Sequence, residues 1–251
     1  MPYARYKPVQ YYSGRFPAAV KWLLISNITV FLAGFFATVF TGRDPLRSLA
    51  LAPWQVLQHG YLWQLFTYLF LHGGLTHILF NMFTLWMFGP DLERAWGSRA
   101  FLRYYFLCGV GAGVCVIAAN LLAGDLYTRT LGSSGAIYGL LLAYGLLYPD
   151  RTVLFSFLFP IPAKYFVMII GAIAFLGSFG AAGSGVSHVA HLGGMLFGYV
   201  YMKTGLRRRV GPERAGLLTV LRAHYRDWKV RRARRKFEVY LRKRDQDRWV
   251  H

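Results

Sequence analysis

The 251-residue chain combines a hydrophobic fraction of 55% with a formal net charge of +19, although charged residues make up only 16% of it. Apolar content this high excludes an ordinary soluble domain. Sixteen of the 29 lysines and arginines follow Leu206 and four precede Trp22. Basic residues gathered at the two ends are typical of a membrane protein rather than a nucleic-acid-binding one.

Six apolar segments are predicted to cross a bilayer as helices. The stretch between Lys164 and Lys203 carries no charged residue. Because it is too long for one crossing of about 20 residues, it is predicted to form two crossings with a turn at Gly183–Ser187. The segments are, in chain order, Ala19–Phe40, Leu75–Gly89, Tyr104–Ala123, Ser134–Tyr148, Tyr165–Ala182 and His188–Met202. The sequence therefore predicts an all-α membrane protein with a six-transmembrane-helix bundle.

Polar side chains mark the second, fourth and sixth segments, which are also the shortest. His77 and Asn81 lie on the second, Ser134 opens the fourth, and His188 and His191 lie on the sixth. Because polar groups facing lipid are costly, these side chains are expected to face the bundle interior or a water-filled cavity.

The loop charges predict that both termini are cytoplasmic. In that orientation 26 lysines and arginines lie inside and three, Arg43, Arg47 and Arg129, lie outside, as the positive-inside rule requires. The first outside loop, Thr41–Gly74, is rich in Trp, Tyr and Leu and is expected to form a lobe partly embedded in lipid.

Ser134 is a candidate nucleophile. A nucleophilic serine needs a base within hydrogen-bond reach, and histidines are the only side chains in the predicted spans that can act as a base near neutral pH. The other interpretation is a helix cap or a packing hydroxyl. Because the spans contain no Asp or Glu, a catalytic Ser-His dyad is favoured over a triad.

Small residues spaced four apart predict a close contact between the fourth and sixth spans. The two ridges consist of Gly135, Gly139 and Ala143 on one span and Gly194 and Gly198 on the other. If the ridges meet, Ser134 and His191 lie on adjoining helices near the same end of the bundle.

Three further residues have two interpretations each. His77 and Asn81 project from one helix face and are either donors to an oxyanion or a packed polar pair. Tyr138, one turn below Ser134, either packs against His191 or fills the core.

The remaining histidines do not predict a metal site. His188 precedes His191 by three residues, but no third ligand or H-E-x-x-H motif accompanies them. His59 and His72 are expected to be loop contacts or minor helpers. No metal or other cofactor is therefore predicted.

These motifs together resemble those of the rhomboid intramembrane proteases, from roughly Leu62 to Gly205. The resemblance consists of Gly132-Ser-Ser-Gly135 for G-x-S-G, Ala190-His191-Leu-Gly-Gly194-Met-Leu-Phe-Gly198 for A-H-x-x-G-x-x-x-G, His77-Ile-Leu-Phe-Asn81 for H-x-x-x-N, and Gly89-Pro-Asp-Leu-Glu93 running to Gly97. One departure is Gln64 after Trp63, where the family usually has an arginine.

The resemblance implies a rhomboid-like bundle in which Ser134 is the nucleophile and His191 the general base. It also implies that His77 and Asn81 stabilise the oxyanion and that Tyr138 packs against the base, and it puts Ser133 at the variable motif position. The expected activity is serine-type endopeptidase cleavage of transmembrane segments of membrane proteins, in a bacterial inner (plasma) membrane. The alternatives are a non-catalytic rhomboid-like protein that binds membrane clients, and a polytopic transporter.

The C-terminal region is strongly basic. An apolar stripe at helical spacing, made of Leu217, Leu218, Leu221, Tyr225 and Trp228, predicts a helix lying on an anionic bilayer. The alternatives are a solvated charge run that enforces topology, and RNA binding. The predicted domains are a cytoplasmic segment at 1–18, the six-helix domain at 19–205 and this cytoplasmic tail at 206–251.

Overall fold

The structure, a computed structural model, describes residues 15–155, 158–179, 188–204 and 232. Within these ranges the α-helices are α1 (Ala18–Thr41), α2 (Pro53–His59), α3 (Gln64–Thr67), α4 (Leu75–Trp96), α5 (Ser98–Ala123), α6 (Ser134–Leu147), α7 (Ala163–Gly177) and α8 (His188–Lys203). Short 3-10 turns cover Arg47–Leu49 and Tyr68–Phe70, and two strands, β1 (Thr152–Phe155) and β2 (Phe159–Pro162), form a hairpin. The predicted turn at 183–187 and the stripe between 217 and 228 lie outside the described residues.

Each predicted span coincides with a helix, and three of the helix ends differ clearly from the prediction. α7 ends at Gly177, five residues before Ala182. α5 begins six residues before Tyr104, and α4 continues past Gly89 to Trp96. Pro90 normally interrupts a helix because it lacks an N–H. Here tertiary packing prevails, since Pro90 and Leu92 are buried and Gly89 lies against Val20 of α1.

Among the described helices, α6 lies at the centre of the bundle and α1 at its edge. Nine of the 14 residues of α6 are buried, and it packs against α4, α5, α7 and α8. Only four of the 24 residues of α1 are buried. Among the described helices, α1 and α5 each have a continuous apolar stretch of at least 18 residues, which is long enough to cross a membrane by length and composition.

The β-hairpin is a feature that the all-α prediction missed. Its strands are antiparallel, from the pair Thr152–Pro162 to the pair Phe155–Phe159. The run is rich in Phe, Val, Ile and Leu, which both a membrane helix and a strand accept, and its prolines suit an edge strand. Ion pairs of 2.7 Å at its base join Lys164 to Asp150 and Arg151 to Asp91.

Gln64 organises the lobe between α1 and α4 without a charge. Its side chain is fully buried. Oε1 accepts the N–H of Ala52 at 3.0 Å, while Nε2 donates to the carbonyl of Ser48 at 2.8 Å and to Oε1 of Gln55 at 2.7 Å. A neutral hydrogen-bond network therefore forms at the position where the family that the sequence resembles usually has an arginine.

Glu93 of α4 completes the first turn of α1. The buried carboxylate accepts the N–H of Ala19 at 2.9 Å and of Val20 at 2.8 Å. Pro17, the residue before α1, offers no side-chain cap. Free N–H groups at a helix start favour a negative charge, and Ser98 donates a third hydrogen bond to the carboxylate at 2.6 Å.

We expect Glu93→Ala to destabilise the protein by about 3 kcal/mol, because it leaves two buried N–H groups without an acceptor. Thermal unfolding in a mild detergent measures the change. Asp91→Asn is the matched control, since Asp91 forms partly exposed ion pairs with Arg94 and Arg151 that contribute little. Equal losses in the two variants would contradict the capping role.

Candidate active site

Glycines bring α6 and α8 into backbone contact. A Cβ on Gly194 would overlap the carbonyl oxygen of Gly135, and one on Gly139 would lie 3.1 Å from the carbonyl oxygen of Gly194. Gly198 instead packs against Tyr104 of α5, whose hydroxyl donates to the carbonyl of Gly139 at 2.7 Å. The two predicted ridges therefore meet at Gly194, while Gly198 packs against a third helix, α5.

This contact places Ser134 beside His191. Ser134 is the first residue of α6, and His191 lies in the first turn of α8. The Oγ of Ser134 lies 2.9 Å from Nε2 of His191, whose side chain is buried. With its proton on Nδ1, the imidazole can accept the proton of the serine hydroxyl, which is the arrangement of an activated nucleophile.

The ring of Tyr138 fixes the plane of the His191 imidazole. The two rings are stacked with centroids 4.0 Å apart and planes 4° apart. Within the described residues, Nδ1 of His191 is buried and has no hydrogen-bond partner. Stacking therefore does the orienting that a carboxylate performs in a triad.

His77 and Asn81 lie on the other side of the motif, against Gly132. A Cβ on Gly132 would lie 2.7 Å from Nε2 of His77 and 3.9 Å from Nδ2 of Asn81. Gly132 has φ +118°, a backbone conformation that favours glycine. Any larger side chain there would displace His77.

Both polar side chains can present an N–H to a ligand at this position. Nδ1 of His77 accepts the N–H of Gly73 at 3.4 Å, so the proton of the neutral ring resides on Nε2, which faces Gly132. Nδ2 of Asn81 is buried and has no hydrogen-bond partner within the described ranges. Two N–H donors thus lie beside Gly132, two residues before Ser134, where they can stabilise an oxyanion.

Ser133 and His72 form a second serine–histidine contact. The Oγ of fully buried Ser133 lies 3.4 Å from Nε2 of His72. Burial, and then the neighbouring His77, lower the pKa of His72 to about 4, so the ring is neutral at pH 7. The sequence offered no signal for this pairing, because His72 precedes α4 in an irregular segment.

His188 lies near the dyad without joining it. Its ring centroid is 6.0 Å from that of His191, and Gly177 of α7 packs against it. In the part of the chain that the structure describes, no group of three or more His, Cys, Asp or Glu side chains could hold a metal ion.

Comparison of the chain with known proteins identifies related sequences. A family model described as "Rhomboid domain" matches residues 59–208. The putative rhomboid protease YdcA of Bacillus subtilis is 33% identical over 142 residues, which cover 57% of this chain and 66% of YdcA. Rhomboid protease GluP of the same organism is 32% identical over 159 residues, covering 63% and 29%. The mitochondrial rhomboid protein 1 of Saccharomyces cerevisiae is 30% identical over 138 residues, covering 53% and 38%.

The aligned segments thus span less than two thirds of each of these three relatives. Each alignment also covers more than half of the present chain. The match to the family model includes every residue of the site described above, from His72 to His191.

We expect Gly194→Ala to separate α6 from α8, because a backbone carbonyl cannot move aside as a side chain can. A displacement of 1 Å costs roughly 10²-fold in rate. Labelling of Ser134 by a fluorophosphonate should therefore slow about 10²-fold. The control is Gly171→Ala, whose Cβ would meet only the flexible end of Met195 at 3.2 Å. Wild-type labelling in Gly194→Ala would show that the contact does not set the serine–histidine geometry.

Proposed function

The chain belongs to the rhomboid family, and on that premise we propose that it is an intramembrane serine endopeptidase with Ser134 and His191 as its catalytic dyad. The observation that carries the proposal is the 2.9 Å contact between Ser134 Oγ and His191 Nε2. It occurs on two helices that only glycines allow to approach so closely. The substrates are transmembrane segments of other membrane proteins.

In the proposed reaction, Nε2 of His191 takes the hydroxyl proton as Ser134 Oγ attacks the scissile carbonyl carbon. The carbonyl oxygen becomes an oxyanion that Nε2–H of His77, Nδ2–H of Asn81 and the backbone N–H of Ser134 stabilise. The imidazolium then protonates the leaving amine. Water, deprotonated by the same imidazole, hydrolyses the acyl-enzyme and regenerates the serine.

Helix lengths support a site recessed below the membrane surface. As a rhomboid, the chain is a mostly helical integral membrane protein, and we propose that α1 and α4–α8 are its six crossings. α6 has 14 residues and is about 21 Å long, which is shorter than a hydrocarbon core of about 30 Å. Ser134, at its first residue, therefore lies below one surface, where water must reach it through a cavity.

Basic residues support the proposed orientation. Arg94 lies in the last turn of α4, Arg99 in the first turn of α5, Arg151 just after α6 and Lys164 in the first turn of α7. All four cations therefore lie at the helix ends opposite to the end of α6 that carries Ser134. With both termini in the cytoplasm, Ser134 opens toward the outside. We propose a bacterial plasma membrane as the location, because the first two relatives are bacterial proteins.

A substrate helix hides its amides in its own hydrogen bonds, so it must unwind locally before Ser134 can attack. Glycine and proline ease that step. Gly132 and the donors beside it supply new hydrogen-bond partners at the site of attack. We therefore propose that substrates carry helix-weakening residues near the cleavage site.

We expect Ser134→Ala and His191→Ala each to abolish cleavage of a transmembrane substrate by the purified protein, because each removes one reactant of the proton transfer. Unfolding temperatures should stay close to that of the wild type. Ser133→Ala serves as the neighbouring-serine control and should still react with a fluorophosphonate. Cleavage that survives Ser134→Ala and is lost in Ser133→Ala would show that Ser133 is the nucleophile and would overturn the proposal.

We expect His77→Ala and Asn81→Ala each to lower kcat about 10²–10³-fold, or roughly 3–4 kcal/mol, with a smaller change in KM. The effects should be less than additive in the double variant, because both donors serve one oxyanion. Thr84→Ala is the control on the same helix, since its exposed hydroxyl bonds only the carbonyl of Phe80. Unchanged kcat in both variants would restrict the pair to packing.

A further inference from the structure

A cavity of about 750 Å³ opens between the second half of α1 and the lobe that follows it. Its wall on α1 is apolar and includes Phe31 and Phe35, and Leu46 and Leu71 line it from the lobe and from the segment before α4. A volume in this range is typical of sites for small molecules rather than of packing defects. The cavity reaches Leu131, three residues before the proposed nucleophile.

Two arginines line the same cavity. Nη1 of Arg129 donates to the backbone carbonyl of Arg47 at 2.8 Å, which holds the two residues together. Neither guanidinium has an ion-pair partner within 4 Å among the described residues. Asp44, the one carboxylate lining the cavity, accepts the N–H of Leu46. The cavity thus has an apolar wall and a net positive rim.

We propose that this cavity binds one phospholipid with an anionic headgroup. The phosphate lies at Arg47 and Arg129, whose planar guanidinium groups match its oxygens. An acyl chain lies along α1, where the apolar ring of Phe35 is 54% exposed. Basic pockets between membrane helices on the cytoplasmic side bind anionic headgroups by the same pairing of charges, and we place this pocket on the outer side, where Arg47 and Arg129 lie.

The apolar wall favours a lipid over a peptide as the occupant. A peptide segment would bring backbone N–H and C=O groups into the cavity, and each would need a hydrogen-bond partner. α1 offers none, because its carbonyls are engaged in the helix. An acyl chain carries no such groups and gains from covering the exposed aromatic side chains.

The test uses the full chain in nanodiscs that contain phosphatidylglycerol or phosphatidylcholine with a diazirine in one acyl chain. Photolabelled peptides are mapped by mass spectrometry. Phosphatidylglycerol should label residues 30–38, and the double variant Arg47→Gln/Arg129→Gln should reduce that labelling about tenfold, since each arginine contributes attraction. Arg43→Gln is the control, because Arg43 is exposed and does not line the cavity.

Three outcomes would overturn the proposal. The first is equal labelling by phosphatidylcholine, and the second is wild-type labelling of the double variant. The third combines two results: a transmembrane substrate abolishes the labelling, and the double variant has a raised KM for that substrate in lipid-free detergent. The last would make the cavity a peptide site. If the double variant does not fold, labelling of the wild type is measured against salt. Salt must then weaken labelling by phosphatidylglycerol and leave that by phosphatidylcholine unchanged.

Discussion

The contact between the backbones of α6 and α8 is the constraint on which the rest of the site depends. Gly194 meets the carbonyl of Gly135 with no room for a Cβ, so the spacing of the two helices is set by main chain rather than by adaptable side chains. Ser134 and His191 lie beside that contact, so the spacing of the two backbones sets the distance between their side chains. Lipid cannot drive two apolar helices together by the hydrophobic effect, so close packing of this kind must do it.

The buried polar groups of the bundle divide into two kinds. Glu93 and Gln64 have their hydrogen bonds completed by the chain itself and hold segments in place. Asn81 and His191 keep buried nitrogen atoms without partners in the described residues. Leaving such atoms unpaired costs free energy. These two lie on either side of Ser134, whereas other buried atoms that lack partners among the described residues, such as Oδ1 of Asn27 and Nδ2 of Asn120, lie on α1 and α5. In the proposed reaction, Nδ2 of Asn81 gains the oxyanion as its hydrogen-bond acceptor.

Much of this structure follows from the sequence, and the reasons for the misses are physical. The helices follow from apolar runs, and the pairing of Ser134 with His191 from glycine spacing and motif resemblance. The continuation of α4 through Pro90 depends on burial against α1, which local propensity does not contain. The β-hairpin lies in the connection between the fourth and fifth predicted spans, to which no element was assigned, because a run of aromatic and branched residues does not distinguish a strand from other structures. The network of Gln64 joins residues up to 16 positions apart, and no periodicity reports it.

The cap of α1 has a consequence for biosynthesis. Residue 93 leaves the ribosome more than 70 residues after Ala19 and Val20, because chains are made from the N-terminus. Until then the first turn of α1 must find its acceptors in water or lipid headgroups. The first turn of α1 thus acquires its final hydrogen bonds only after α4 has been made, and its N-terminal end stays adjustable until then.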